Sequence, residues 1–320
     1  MTKPRIYIHR TMGCRYEEYM TAENEALLAS FAEVVSDGTR EEPVTQDQME
    51  ARLDGVSGIL SLNGSGAGDI TGDAIRAAGT VKVAVISHYW HGSHDEACPI
   101  WRDAGVEVID ESDACNEAVA EWTIGAAIAG LRRFEQYDRE MRSGTEWPSW
   151  RRAGQLHGST VGLVSLGRVG RIVAEFLKVF DCRVLCYDPY VDDATDLGIE
   201  LVDLDTVMSE SDVVSLHAPV LPETTGMIGA HELSLIRDGA VFLNCARMAV
   251  VDGDAFRAEM QKGRFTAYLD VFEPEPPPLD DVLRTLDNVV MTPHVAGTTP
   301  KMFERCGIRA IQTLRERLCE

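Results

Sequence analysis

A chain of 320 residues is too long for one ordinary core and suits two domains. With 45% apolar and 26% charged residues and no low-complexity tract, it is globular throughout. A formal net charge of −22 repels phosphate backbones and anionic headgroups, which argues against nucleic-acid and membrane partners. No apolar run of signal-peptide or membrane-spanning length occurs, and the eight cysteines form no CxxC pair. The chain therefore reads as cytoplasmic, with reduced thiols in its core.

In chain order, "RIYIH", "EVVSD", "SGILSL", "VKVAVI" and "VEVID" read as strands with helical stretches between them, the alternation of a parallel α/β domain. After the fourth comes "HYWHGSHDEAC", where His88, His91, His94, Asp95, Glu96 and Cys98 supply metal-type donors. Whether they converge depends on the fold around them. "EAVAEWTIGAAIAGLRRFEQYDREMRSG" then predicts one long helix whose small residues Ala126, Ala127, Ala129 and Gly130 permit close packing, against either the domains or a second subunit. From Thr160 a second series begins: "TVGLVSLG", "CRVLCYD", "DVVSLH", "AVFLNC", "TAYLDV" and "NVVMTPH". Cys182 and Cys186 are expected on one face of its second strand.

"TVGLVSLGRVGRIVAEFLKVFDCRVLCYDPY" is a strand, a glycine turn, an amphipathic helix and a second strand ending in an acid, the arrangement that binds a dinucleotide. Gly167 lets the backbone approach a pyrophosphate, Gly170 lets the helix pack on the sheet, and the helix start offers N–H groups to the anion. Ser165 stands in place of the first glycine and is expected in a β-type conformation. Asp188 can accept hydrogen bonds from ribose hydroxyls and would repel a 2′-phosphate, and Pro189 and Tyr190 follow it rather than an arginine, so NAD is favoured over NADP.

Three segments, "FLNCARMAVVD", "YLDVFEPEPPP" and "NVVMTPHVAGTT", end predicted strands, where open α/β sheets place ligands. With the glycine turn, "NEAVAEWTIG" and "LHAPVLPETTGMI", they make nearly the whole chain resemble the D-isomer-specific 2-hydroxyacid dehydrogenases. The resemblance implies α/β architecture in two parallel-sheet domains, a Rossmann-type NAD-binding domain at 111–296 inserted into a flavodoxin-like substrate domain formed by 1–110 and 297–320. It makes Arg247 the binder of the substrate carboxylate and His294, paired with Glu275, the acid–base. It places Thr123, Gly167, Arg168, Val169, Asp188, His217, Ala218, Pro219, Thr224, Cys245, Ala246, Asp270, His294 and Gly297 along NAD, with Asp270 on the nicotinamide carboxamide. The chemistry needs these types: a guanidinium offers a planar fork to a carboxylate, and a histidine with a carboxylate partner can deliver a proton to a carbonyl oxygen.

Two departures stand out. Met248 follows the arginine where the family usually has glycine, which is expected to reshape the pocket. The histidine-rich stretch occupies the position of the family's glycine-rich substrate loop, so Trp90, His91 and Gly92, with Arg247, are the expected substrate contacts. Hydride transfer to a nicotinamide needs no metal, and none is expected. The implied function is interconversion of a small 2-oxo acid and a D-2-hydroxy acid by a homodimer. The alternatives are an NADH-sensing protein like the corepressors that resemble this family, or an enzyme oxidising phosphoglycerate or phosphite.

Overall fold

The computed structural model describes residues 3–11, 16–40, 42–89, 93–144, 147 and 153–319. The chain divides into two compact units, Met1–Cys115 with Thr298–Glu320, and Asn116–Gly297. The first unit carries strands β1 (Arg5–Ile8), β2 (Glu33–Ser36), β3 (Gly58–Ser61), β4 (Val83–Ile86) and β5 (Glu107–Asp110). They pair parallel in the order β2-β1-β3-β4-β5, the flavodoxin-like order. The inner strands β3 and β4 are buried along their whole length, so they read in sequence as unbroken apolar runs rather than as alternation. Between strands run α1 (Tyr16–Tyr19), α2 (Ala22–Phe31), α3 (Gln46–Leu53), α4 (Gly72–Ala78) and α5 (Ser93–Asp103). Fully buried Trp101 of α5 donates its indole N–H to the Ile70 carbonyl at 3.0 Å.

The second unit opens with α6 (Asn116–Arg132) and α7 (Phe134–Arg142). The single long helix expected here is broken at Arg133, which takes a left-handed conformation (φ 56°) and starts α7 in a new direction. The small-residue stripe of α6 packs inside this unit: a Cβ on Gly130 would lie 2.7 Å from Val241 and 2.9 Å from Tyr268. Then follow β6 (Thr160–Val164), α8 (Arg168–Lys178), β7 (Arg183–Tyr187), β8 (Ile199–Leu201), α9 (Leu204–Glu210), β9 (Val213–Leu216), α10 (Ala230–Leu235), β10 (Val241–Asn244), α11 (Gly253–Met260), β11 (Thr266–Leu269) and β12 (Val289–Met291). All strands pair parallel in the order β12-β11-β10-β9-β6-β7-β8. This is the Rossmann order, reversing direction between β6 and β9.

Every strand predicted from sequence is present, and the three-residue edge strand β8 is additional. Cys182 precedes β7 instead of sharing its face with Cys186, and its thiol meets the Leu156 carbonyl at 3.2 Å. Two clusters of apolar side chains form the core of the larger sheet, one around Phe242, Phe256 and Phe265, the other around Leu163, Val173, Leu177 and Leu243.

The chain returns to the first unit as α12 (Pro300–Cys319), which packs on β3 and β4. Residues 111–115 stay with that unit, so its boundary falls later than the expected 110: Arg305 donates to the Ala114 carbonyl at 3.2 Å and Thr313 to Glu111 at 2.7 Å. No helix of the described residues is long and apolar enough to cross a membrane.

Candidate active site

The dinucleotide turn is built between β6 and α8. Gly167 is the N-cap of α8, no side chain caps the helix, and a Cβ on Gly167 would meet nothing within 4 Å, so the helix start faces open space. Gly170 is required by close approach, since a Cβ there would lie 2.6 Å from the Ser165 carbonyl oxygen. An uncapped helix N-terminus with room before it suits a pyrophosphate, and the residues present fit NAD. The β-type conformation expected at Ser165 is not observed: its φ is 78°, the left-handed region. The turn imposes that geometry on whichever residue begins it, because the Ser165 N–H is bound to the Tyr187 carbonyl at 2.8 Å while its carbonyl abuts Gly170.

Asp188 follows β7 and turns back onto this loop. Its Oδ2 accepts from Leu166 N–H at 2.8 Å and from the Ser165 hydroxyl at 3.1 Å, and Oδ1 accepts from Tyr190 N–H at 2.9 Å.

The remaining sequence candidates leave the C-terminal ends of successive strands. His217, Ala218 and Pro219 follow β9; Cys245, Ala246 and Arg247 follow β10; Asp270 follows β11; His294 and Gly297 follow β12. His217 lies 3.0 Å from the Ser215 hydroxyl, and burial pushes its pKa down to about 4, so the ring is neutral at physiological pH. Thr224 is engaged locally, its hydroxyl donating to the Pro219 carbonyl at 2.6 Å. Thr123, buried on α6, donates to the Val119 carbonyl at 2.9 Å and lies 3.3 Å from the Cys245 sulfur. Burial raises that thiol to about 11, so Cys245 is a packed thiol rather than a thiolate.

His294 and Glu275 meet at 2.8 Å, Nδ1 to Oε2, across the β11 and β12 loops. The other Glu275 oxygen accepts from Phe272 N–H at 2.8 Å, which anchors the carboxylate at both ends. His294 has a positive φ of 53°, a strained conformation held by its surroundings. Those surroundings centre on Asp270, which is 1% exposed. Its Oδ1 accepts from the Thr292 hydroxyl and from Val295 N–H, and its Oδ2 from Ala296 N–H at 2.8 Å. Asp270 thus shapes the loop carrying His294, with most of its acceptor positions used inside the protein.

Arg247 is half-buried, and its side chain makes one hydrogen bond, Nη1 to the Ala246 carbonyl at 2.7 Å. Among the described residues no carboxylate pairs with it. Its backbone is braced by Asn244, a residue the sequence analysis did not single out: the fully buried carboxamide accepts from Ala246 N–H at 3.1 Å and donates to the Arg247 carbonyl at 3.2 Å. Nothing in the local pattern separates an Asn ending a buried strand from any other turn former. Met248, which stands where the family usually has glycine, is 5% exposed and packs into the core around Phe242.

The expected substrate contacts Trp90, His91 and Gly92 lie outside the described residues. Their neighbours His88 and His94 meet hydroxyl groups, His88 that of Tyr19 at 3.1 Å and His94 that of Ser61 at 2.7 Å.

Comparison with known proteins agrees with this arrangement. The family model "D-isomer specific 2-hydroxyacid dehydrogenase, NAD binding domain" matches residues 124–296. A glyoxylate reductase of Thermofilum pendens is 30% identical over 98% of this chain and 91% of its own length. A D-3-phosphoglycerate dehydrogenase of Methanocaldococcus jannaschii is 34% identical over 85% of this chain, and the match spans only 52% of that relative. Among solved structures, a D-lactate dehydrogenase from Treponema pallidum superposes with a TM-score of 0.78 at 25% identity, covering 98% of this chain and 97% of that one. The chain belongs to the D-isomer-specific 2-hydroxyacid dehydrogenases, a family built on an NAD-binding domain.

Proposed function

We propose that this chain catalyses reversible hydride transfer between NAD and a small acid, interconverting a 2-oxo acid and a D-2-hydroxy acid. The observation that carries the reading is the 2.8 Å His294–Glu275 contact at the end of β12, in the same sheet as an Arg247 that no described carboxylate neutralises. When bound, the reduced cofactor supplies the hydride.

The chain's own groups divide the remaining work. The Arg247 guanidinium holds the substrate carboxylate and keto oxygen through its planar fork. An ionised Glu275 can only accept, so His294 keeps a proton on Nδ1 and works through Nε2. In reduction the imidazolium gives the Nε2 proton to the carbonyl oxygen; in oxidation the neutral ring takes it from the hydroxyl. Asp270 acts by holding the His294 loop, and Asp188, by its position after β7, disfavours a 2′-phosphate. Thr123, Gly167, Arg168, Val169, His217, Ala218, Pro219, Thr224, Cys245, Ala246 and Gly297 complete the cofactor side, and Trp90, His91 and Gly92 the substrate loop.

A second copy of the chain is the proposed partner, supported by Phe134 and Met141 of α7, apolar side chains about half exposed. A reducing, cytoplasmic setting fits the absence of a disulfide among the described residues.

The test is NADH consumption with glyoxylate, pyruvate and longer 2-oxo acids, set beside NAD reduction with 3-phosphoglycerate and with phosphite. Turnover of unphosphorylated 2-oxo acids supports the reading. NADH binding without turnover of any of them would replace it with a sensing role. Activity confined to 3-phosphoglycerate or phosphite would move the substrate class.

A further inference from the structure

Ser165 occupies the first position of the glycine turn with φ 78°, where glycine is unstrained and an L-residue is not. Its backbone cannot relax, since the N–H is fixed to the Tyr187 carbonyl at 2.8 Å and the carbonyl oxygen lies against Gly170. A strained residue held where glycine would fit freely points to a use for its side chain. That side chain is accounted for: the hydroxyl lies 3.1 Å from Asp188 Oδ2.

A carboxylate has about four acceptor positions. On Asp188, Oδ2 takes the Ser165 hydroxyl and Leu166 N–H, and Oδ1 takes Tyr190 N–H. The carboxylate is thereby held from two sides, by the turn through Oδ2 and by its own strand end through Oδ1. One acceptor position remains, on Oδ1, for a ribose hydroxyl.

We propose that Ser165 is a positioning residue for cofactor choice: its hydroxyl latches Asp188 so that the carboxylate presents one oriented acceptor and an undiminished negative charge to the ribose. The proposal rests on the reading that Asp188 meets the adenosine ribose of NAD. The latch costs backbone strain, and a glycine would give up the latch to relieve it. Ser165→Gly and Ser165→Ala separate the two effects, since alanine loses the hydroxyl but keeps the strain.

The experiment combines thermal melts of the cofactor-free protein with equilibrium titrations of NADH and NADPH by fluorescence. Both variants lose the hydroxyl, so the melting temperature of Ser165→Gly lies above that of Ser165→Ala, because only glycine relieves the strain. In Ser165→Gly NADH binds up to about 10-fold more weakly, the cost of ordering one freed side chain on binding, while NADPH affinity is unchanged. In Ser165→Ala the NADH loss is the same. Asp188→Asn, titrated alongside, loses NADH affinity and discrimination if Asp188 meets the ribose. Unchanged binding in Asp188→Asn removes that reading and the latch with it. A normal Asp188→Asn loss with unchanged Ser165 variants overturns the latch alone. A tighter NADH complex in either Ser165 variant would show that the hydroxyl competes with the ribose, which also overturns the proposal.

Discussion

The two parallel sheets gather similar polar residues at the C-terminal ends of their strands and treat them in opposite ways. In the first unit His9 follows β1, Ser61 ends β3 and His94 lies in α5, all fully buried. His9 Nδ1 meets the Arg10 carbonyl at 2.8 Å, and a carbonyl only accepts, so Nδ1 carries the proton. Nε2 of the neutral ring then accepts from the Ser61 hydroxyl at 2.6 Å, and that oxygen accepts from His94 Nε2 at 2.7 Å. Beside this chain Arg10 pairs with Asp69 at 2.6 Å, both nearly buried. In the second unit the His294 and Glu275 side chains are 47% and 37% exposed, and Arg247 has no carboxylate partner among the described residues. Histidine, arginine and a carboxylate are present at both edges. What distinguishes a site is whether their hydrogen-bonding capacity is closed within the protein or left for a ligand.

The contrast can be broken by removing one group from each edge. The largest effect is expected at the open edge: His294→Ala should slow 2-oxo acid reduction by about 10²–10⁴-fold while NADH titrations stay normal. An active variant would end its assignment as the acid–base. Arg247→Lys keeps the charge and loses the planar fork, so kcat/KM should fall on the order of 100-fold, with near-normal kinetics removing Arg247 from the site.

At the closed edge, Ser61→Ala strands two histidine nitrogens in the core and should cost about 1–3 kcal/mol in urea unfolding. Because that group is structural, a loss of turnover without a loss of stability would refute the comparison.

The smallest effect at neutral pH comes from two histidines, one in each unit, that burial pushes down to about 4: His9 and His217. Unfolded, each takes up a proton as pH falls through its reference value of 6.5; folded, only near 4. Stability is therefore complete above that reference and is lost as pH drops between the two values, by up to about 1.4 kcal/mol per pH unit for each ring. His217→Gln should leave unfolding at pH 7.5 little changed and flatten the acid slope. An identical slope in that variant would show that the ring is not held neutral in the fold.

The placement of the candidate site's residues was legible because its parts are short local patterns, while the roles of Arg247, Glu275 and His294 came from the family resemblance. The strand-glycine-helix-strand-acid run marked the dinucleotide turn, and Arg247, Glu275 and His294 each follow a strand recognisable from its apolar run. The break at Arg133 was not legible, since "LRRFEQ" carries no glycine or proline and good helix formers lie on both sides. The packing of Met248 was not legible for a related reason. Its direction depends on core residues from other strands, among them Phe242 and Phe256, and not on the arginine beside it.

By itself the sequence determined the two α/β units, the twelve strands save the edge strand β8, and the residues standing at their ends. Periodicity and turn chemistry act over a few residues, and those are written locally. Only the tertiary structure decided how each polar group is satisfied. Asp270 braces residues 292–296, Asp188 is latched to Ser165, and Ser61 joins histidines from either side of it in the chain. Such pairings arise when parallel strands with long crossovers bring distant residues to one sheet edge, and a donor's nearest acceptor is then set by register and packing rather than by spacing along the chain.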